Sequence, residues 1–179
     1  SGTVRATRLI NQLLLMASAE HPDAIERPRL NATQLARDVT EQWVPEAMKR
    51  GIDLGFESDP DSAWVRGHSL LLTEALNNLI DNALRYAPSN SQVTVAVHAS
   101  HHKVTLSVQD NGPGIDPADR ERIFDRFFRV LGTQTHGSGL GLAIVKEIAQ
   151  RHQAELTVQP AHPTQTPPGT RFALTLTAD

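Results

Sequence analysis

The chain has 179 residues, 39% of them hydrophobic and 21% charged, enough for one globular domain with a short appendage and too few for a second large domain. A formal charge of −3, a pI near 6.2 and no lysine or arginine run give no general attraction to nucleic acid. The absence of cysteine excludes disulfides and thiolate metal sites and permits a reducing compartment, and longer apolar runs such as Leu13-Leu-Leu-Met-Ala17 fall far short of the roughly 20 residues that span a bilayer.

In chain order, Ser1-Gly2 leads almost at once into a helical pattern, as expected of an excised fragment carrying a leftover scar. Over residues 3–20, Ile10, Leu13, Leu14 and Ala17 share one helical face, with Arg5, Arg8, Asn11 and Gln12 largely elsewhere, so this helix needs a partner surface. Residues 22–31, with Pro22 and Pro28, read as a linker. Leu35, Val39 and Trp43 predict an amphipathic helix that ends near Gly51 and that Pro45 should kink or shorten. Ile52, Leu54 and Phe56 alternate as a strand, Ser58-Asp-Pro-Asp-Ser62 is a turn, and residues 63–66 form a short strand.

Next comes a helix whose amides break an otherwise apolar surface. Glu74, Asn78, Asn82 and Arg85 fall on one stripe, while Leu72, Ala75, Leu76, Leu79, Ile80 and Ala83 cover most of the remaining circumference, so the stripe should be enclosed. Enclosed amides need partners. An amide oxygen suits a hard cation and a guanidinium suits a phosphate, so the helix could hold a magnesium-bound polyphosphate; a solvated helix face is the competing interpretation.

Val93, Val95 and Val97, then Val104, Leu106 and Val108, alternate around Ser100-His-His102 as a hairpin. Asp116-Pro117 should open a short helix, residues 140–152 should form another, and Leu156-Thr-Val158 and the alternation of Phe172, Leu174 and Leu176 supply further strands around a proline-rich loop at 160–169. Six strand candidates among helices, at least one pair a hairpin, predict an α+β fold: a two-layer sandwich of helices on a mixed, mostly antiparallel sheet.

Asp110-Asn-Gly-Pro-Gly114 follows directly from a strand. Its glycines permit a sharp turn and close approach to a ligand, and its carboxylate can accept from the exocyclic amine of adenine; a plain Asn-Gly turn is the alternative. Gly137-Ser-Gly-Leu-Gly141 precedes a helix whose amides and positive end could bind phosphate. It is neither the dinucleotide fingerprint, because its third glycine comes one residue early, nor a P-loop, because Gly-Lys-Ser/Thr is absent. Between them, Ile123-Phe-Asp-Arg-Phe-Phe-Arg129 puts Phe124 and Phe127 in the core, with Arg126 and Arg129 available for a phosphate or a surface ion pair.

Taken in order, Asn78-Leu-Ile-Asp-Asn82-Ala, Asp110-Asn-Gly-Pro-Gly114, Phe124-Asp-Arg-Phe-Phe-Arg129, Gly137-Ser-Gly-Leu-Gly141 and Gly169-Thr170 resemble the N, G1, F, G2 and final boxes of two-component sensor histidine kinases. Thr7-Arg-Leu-Ile-Asn-Gln-Leu-Leu-Leu-Met-Ala17 looks like the second dimerisation helix of that family, and the short segment 129–137 resembles the membrane-bound subgroup with an abbreviated ATP lid. The resemblance implies a remnant of the dimerisation and phosphoacceptor helix at 1–21, a linker at 22–31 and an ATP-binding catalytic domain at 32–179, with about three helices on one face of the sheet.

By position, the resemblance makes Asn82 a magnesium ligand, with Asn78 helping to hold metal and phosphates and Arg85 against phosphate. Tyr86 would lie along adenine, Asp110 would accept its amine, Gly112 and Gly114 would shape the pocket, and Ile115 and Leu142 would supply apolar cover. Arg129 would reach the terminal phosphate, the amides of Gly137, Ser138, Gly139, Leu140 and Gly141 would cradle phosphates, and Thr170 would complete the adenine site through water.

The implied activity is transfer of the terminal phosphoryl of magnesium ATP to a histidine. None of the eight histidines has the acid and Arg-Thr-Pro-like sequence that follows the family's acceptor, so acceptor and adjacent acid are expected on a segment outside these residues, and no autophosphorylation is expected in isolation. The implied partners are the protein's own phosphoacceptor domain, a second copy in a homodimer and a response regulator, in the cytoplasmic portion of an inner-membrane-anchored bacterial protein. Alternatives are a serine kinase acting on an anti-sigma-factor partner, an ATP clamp of the gyrase or heat-shock type, which places a catalytic glutamate where this chain has Asn78, and a nucleotide-sensing docking module without catalysis.

Overall fold

A computed structural model describes residues 26–59, 61–125, 128 and 141–179. Among them are ten elements: β1 (Arg29–Asn31), α1 (Ala32–Lys49), β2 (Asp53–Ser58), β3 (Trp64–Arg66), α2 (Ser69–Tyr86), β4 (Gln92–Ser100), β5 (Lys103–Asp110), α3 (Gly141–Arg151), β6 (Glu155–Gln159) and β7 (Thr170–Thr177). The expected helix at 3–20 lies outside the described residues.

β2, β4, β5, β7 and β6 form one five-stranded sheet in that order. Only the β2–β4 pair is parallel, and its crossover runs through β3 and α2, because parallel neighbours cannot be joined by a tight turn. The β4–β5 hairpin turns at His101-His102, both with positive φ (52° and 61°), which matches the right-handed twist of the flanking strands.

Registry aligns the apolar residues into rows across the sheet. Phe56, Val95, Val108, Phe172 and Val158 form one row, and Val97, Leu106, Leu174 and Leu156 the next. These rows pack with α1, α2 and α3 into a single core in which Leu76, Leu79 and Ile80 of α2 are fully buried. Each such side chain stabilises the fold by about 1.5–3 kcal/mol, so Leu79→Ala would be among the most damaging single changes.

Three local expectations need correction. Arg29–Asn31 are not linker: they pair antiparallel with β3, and Asn31 caps α1 by accepting from the amides of Thr33 (3.1 Å) and Gln34 (3.3 Å). β3 consequently stands in this small two-stranded sheet and not in the main one. Of the kink or shortening expected at Pro45, the shortening does not occur: α1 runs on to Lys49, because the packed face of the helix outweighs the single hydrogen bond that proline removes. After Asp116-Pro117 there is no α-helix: Asp119, Arg122 and Asp125 each donate to the carbonyl three residues earlier, giving successive turns that bring Phe124 edge-on to Phe172 at 6.0 Å.

Candidate nucleotide site

The polar stripe of α2 is enclosed along only half its length. Glu74 and Asn78 are 3% and 5% exposed, whereas Asn82 and Arg85, nearer the C-terminal end, are half-buried. Asn78 Nδ2 donates to the Glu74 carbonyl at 2.9 Å, which fixes the amide and leaves Oδ1 facing the first residue of α3. That residue is Gly141, where a Cβ would stand 3.2 Å from Asn78 Oδ1. α3 thus starts against the middle of the stripe, where a residue without a side chain lets its backbone come close to the Asn78 amide.

Arg85 is engaged with Asp81, its Nε 3.3 Å from Oδ1 and one terminal nitrogen 3.2 Å from Oδ2. Asp81 lies beside the stripe and not on it, although its spacing of four residues to Arg85 is a helical ion-pair signal readable in the sequence. Asn77, off the stripe, accepts from the Trp43 indole at 2.9 Å and ties α1 to α2.

Asp110 ends β5 beside α2. It belongs to the row Leu54, Val93, Asp110, Thr170, so its side chain points to the same face as the core although it is a carboxylate. It is 3% exposed, and burial pushes its pKa up from an ordinary 3.8 to about 6, with hydrogen bonds from the Gly112 and Thr170 backbones acting in the opposite direction. The Gly112 amide donates to Asp110 Oδ1 at 2.7 Å. At Gly112 a Cβ would meet that oxygen at 2.9 Å and the Tyr86 carbonyl at 3.0 Å, so the turn passes directly under the C-terminal end of α2. Gly114 and Gly169 both have positive φ (83° and 68°), and the Gly169 amide donates to the Gly112 carbonyl at 3.0 Å, which joins the two glycine turns.

Asn78, Asn82, Arg85, Tyr86, Asp110, Gly112, Gly141 and Thr170 therefore lie on elements that meet along the C-terminal half of α2. Ile115 and Leu142, both half-buried, pack against the core. Arg129, Gly137, Ser138, Gly139 and Leu140 lie outside the described residues, as do Arg126 and Phe127. Among the described residues no group of three or more His, Cys, Asp or Glu side chains could hold a metal. A cation here would rest on amide oxygens and on oxygens of its ligand, a donor set that suits magnesium.

A two-layer α/β sandwich with a desolvated carboxylate at a strand end and glycine turns facing an amide-bearing helix is the frame of a nucleotide-binding domain. The family described as histidine kinase-, DNA gyrase B-, and HSP90-like ATPase matches residues 67–179, and the chain belongs to it. It is 35% identical over 178 residues to the sensor histidine kinase CusS of Escherichia coli (strain K12), covering 97% of this chain and 36% of CusS. Among solved structures, the mycobacterial sensor histidine kinase MprB is similar with a TM-score of 0.74 and 32% identity, over 85% of this chain and 97% of that one. The cytoplasmic segment of histidine kinase QseC is similar with a TM-score of 0.68 and 25% identity, over 100% of this chain and 97% of that one. The α+β fold with three helices on a mostly antiparallel five-stranded sheet is thus that of histidine kinase catalytic domains. The chain spans about a third of the length of the curated relatives it matches, 36% of CusS and 31% of a Pseudomonas aeruginosa PmrB.

Proposed function

We propose that this chain is the ATP-binding catalytic portion of a two-component sensor histidine kinase that passes the terminal phosphoryl of ATP to a histidine on a dimerisation segment of the longer protein. The observation that carries this reading is Asp110: a carboxylate is buried on the core-facing side of a strand end, where it accepts from Gly112 and faces no basic side chain in its strand row. Such a group is costly unless a ligand donor compensates it, and the exocyclic amine of adenine is such a donor. Guanine presents a carbonyl at the same position and would be rejected.

The other residues fit a polyphosphate extending from that point. Tyr86 would lie along the base, Thr170 would complete its hydrogen bonding, and Ile115 and Leu142 would cover it. Asn78 and Asn82 would offer amide oxygens to magnesium, Arg85 would face phosphate, and Gly141 with the preceding G2 residues and Arg129 would serve the outer phosphates. When bound, magnesium neutralises phosphate charge, which is the main demand of phosphoryl transfer. The protein's own contribution is to select the base, fix the chain of phosphates relative to α2 and α3, and exclude water.

Partners consistent with this reading are a phosphoacceptor helix pair, a second copy of the full-length protein and a response regulator reached through the acceptor domain, in a cytoplasmic portion anchored to the inner membrane. No helix among the described residues is long and apolar enough to cross a membrane. Incubation with labelled ATP and magnesium tests the reading directly. The chain alone should acquire no acid-labile phosphate, a cognate acceptor helix pair added in trans should become labelled, and Asn82→Ala should abolish that labelling. Phosphohistidine on the isolated chain would overturn the assignment of the acceptor to another segment.

A further inference from the structure

Beyond Gln159 and Arg171, the last paired residues of β6 and β7, the two chains stay in register: the Ala161 amide donates to the Gly169 carbonyl at 3.4 Å and the His162 amide to the Pro168 carbonyl at 2.7 Å. This extension meets the Asp110-Asn-Gly-Pro-Gly114 turn. The Gly169 amide donates to the Gly112 carbonyl at 3.0 Å, and the Pro168 ring stands against Gly114, where a Cβ would lie 2.8 Å from its Cγ. Residues 163–167 of the connecting loop are exposed, whereas Pro168 is half-buried in this contact.

The turn has little stiffness of its own, because Gly112 and Gly114 both lack a side chain. Its position nevertheless decides the aim of a buried acceptor: the Gly112 amide donates to Asp110 Oδ1 at 2.7 Å, and that bond sets the rotation of the carboxylate. Proline suits a prop at such a place, since its ring is fixed by the backbone and loses no side-chain freedom on packing. We propose that Pro168 is a positioning residue for base recognition, which braces Gly114 and, through the turn, holds the Asp110 carboxylate aimed at the exocyclic amine of adenine. This role rests on the nucleotide reading of the site, because only an amine-bearing base requires that aim. A proline that merely filled the loop would act on stability, and so on all nucleotides alike.

The test compares ATP with purine riboside triphosphate, the analogue that lacks the six-amino group, each titrated calorimetrically with magnesium into the full chain. The parent should prefer ATP about ten- to a hundredfold, the scale of a buried charged acceptor. Pro168→Ala should narrow that preference about two- to tenfold, the share of one well-aimed hydrogen bond, and leave the affinity for the analogue unchanged. Pro168→Ser, a second truncation suited to a polar loop, should narrow it in the same way, which keeps the test decisive if one variant folds poorly. Pro168→Val restores apolar bulk against Gly114 and should return the preference toward the parent value, while Pro163→Ala, at an exposed proline of the same loop, should leave it intact. In an Asp110→Asn background, Pro168→Ala should change the ratio of the two affinities by less than it does in the parent. An unchanged ratio in folded Pro168→Ala and Pro168→Ser, or an equal loss for both nucleotides, would overturn the bracing role and spare the nucleotide reading as long as the parent still discriminates. A parent chain that binds the two nucleotides equally would remove the adenine assignment and this proposal together.

Discussion

Asp110 and Thr170 stand directly opposite each other on the antiparallel strands β5 and β7, and both are nearly inaccessible, at 3% and 5% exposed. They close a row of the sheet that is otherwise apolar and faces the helices, so a carboxylate and a hydroxyl occupy positions where the neighbouring rows put Val108 with Phe172 and Leu106 with Leu174. The sheet is built to keep these two polar groups dry.

Replacing the carboxylate should separate binding from stability. Asp110→Asn keeps the shape and an oxygen for the Gly112 amide but loses the charged acceptor, which should cost about 1.5–3 kcal/mol of ATP binding, a loss of about ten- to a hundredfold. The same change removes a buried charge, so the variant should melt at or above the temperature of the parent chain at neutral pH. Calorimetry paired with thermal denaturation checks both, and a variant that binds ATP as tightly as the parent would discard the adenine assignment.

The raised pKa gives ATP binding a pH dependence. Ligation by an amine requires the ionised carboxylate, so affinity should fall as pH drops through about 6, and binding near that pH should release a proton. The ligand-free fold has the opposite dependence at this residue. Because the folded-state value lies above the unfolded one, Asp110 contributes stability below about 3.8 that is lost as pH rises through about 6. Melts of the parent chain and Asp110→Asn across this window should converge at the acidic end and diverge above it.

His152, at the end of α3, should produce an acid-side loss. It is 6% exposed, its Nε2 accepts from the His68 amide at 3.0 Å, and its Nδ1–H donates to the Ile148 carbonyl at 2.8 Å, so the neutral ring clamps α3 to the start of α2. Burial first, then opposed by the Ile148 hydrogen bond and reinforced by Arg27 and His68, holds its pKa below the ordinary 6.5. A folded-state value below the unfolded one means that the contribution is present above 6.5 and declines as pH falls below it. His152→Ala should cost about 2–4 kcal/mol at pH 7.5, through a cavity and an unpaired His68 amide, and should flatten that decline in thermal melts.

Two glycines with the same backbone angle should respond differently to alanine. Gly51 and Gly169 both have φ of 68°, but a Cβ at Gly51 meets nothing within 4 Å, whereas at Gly169 it would stand 2.1 Å from the Asp110 carbonyl oxygen. Gly51→Ala should cost about 1 kcal/mol, the strain of a left-handed residue alone. Gly169→Ala should cost several times more and shift the Asp110–Thr170 pairing, visible in urea denaturation and in the amide signals of both residues.

Gly141→Ala should strengthen α3 by its higher helix propensity and still impair the site, because the methyl group would crowd Asn78 Oδ1. Magnesium-dependent ATP affinity should fall while thermal stability holds or rises, and the affinity for adenosine should not change. Equal losses for ATP and adenosine would show that the methyl group disturbs the base site and not the Asn78 oxygen.

The period-2 alternation of Val93, Val95 and Val97 with Val104, Leu106 and Val108 determined the hairpin from sequence alone, because one buried face admits one registry. The stripe of Glu74, Asn78, Asn82 and Arg85 was legible for the same reason at a period of 3.6 residues, as were the turns around Gly112, Gly114 and Gly169, where few other residues fit. Pairings distant along the chain were not legible. Nothing near Arg29–Asn31 announces a strand, since its partner among the described residues is β3, more than thirty residues on, and the three-residue pairing gains its stability from the docked start of α1. Only the tertiary structure decided that α1 survives Pro45, that the residues after Asp116-Pro117 remain turns, and that Arg85 is already held by Asp81. Burial, too, was a tertiary outcome: Asp110 acquires its raised pKa from the α2 terminus and the 168–170 segment closing over it, a desolvation that no local pattern of residues encodes.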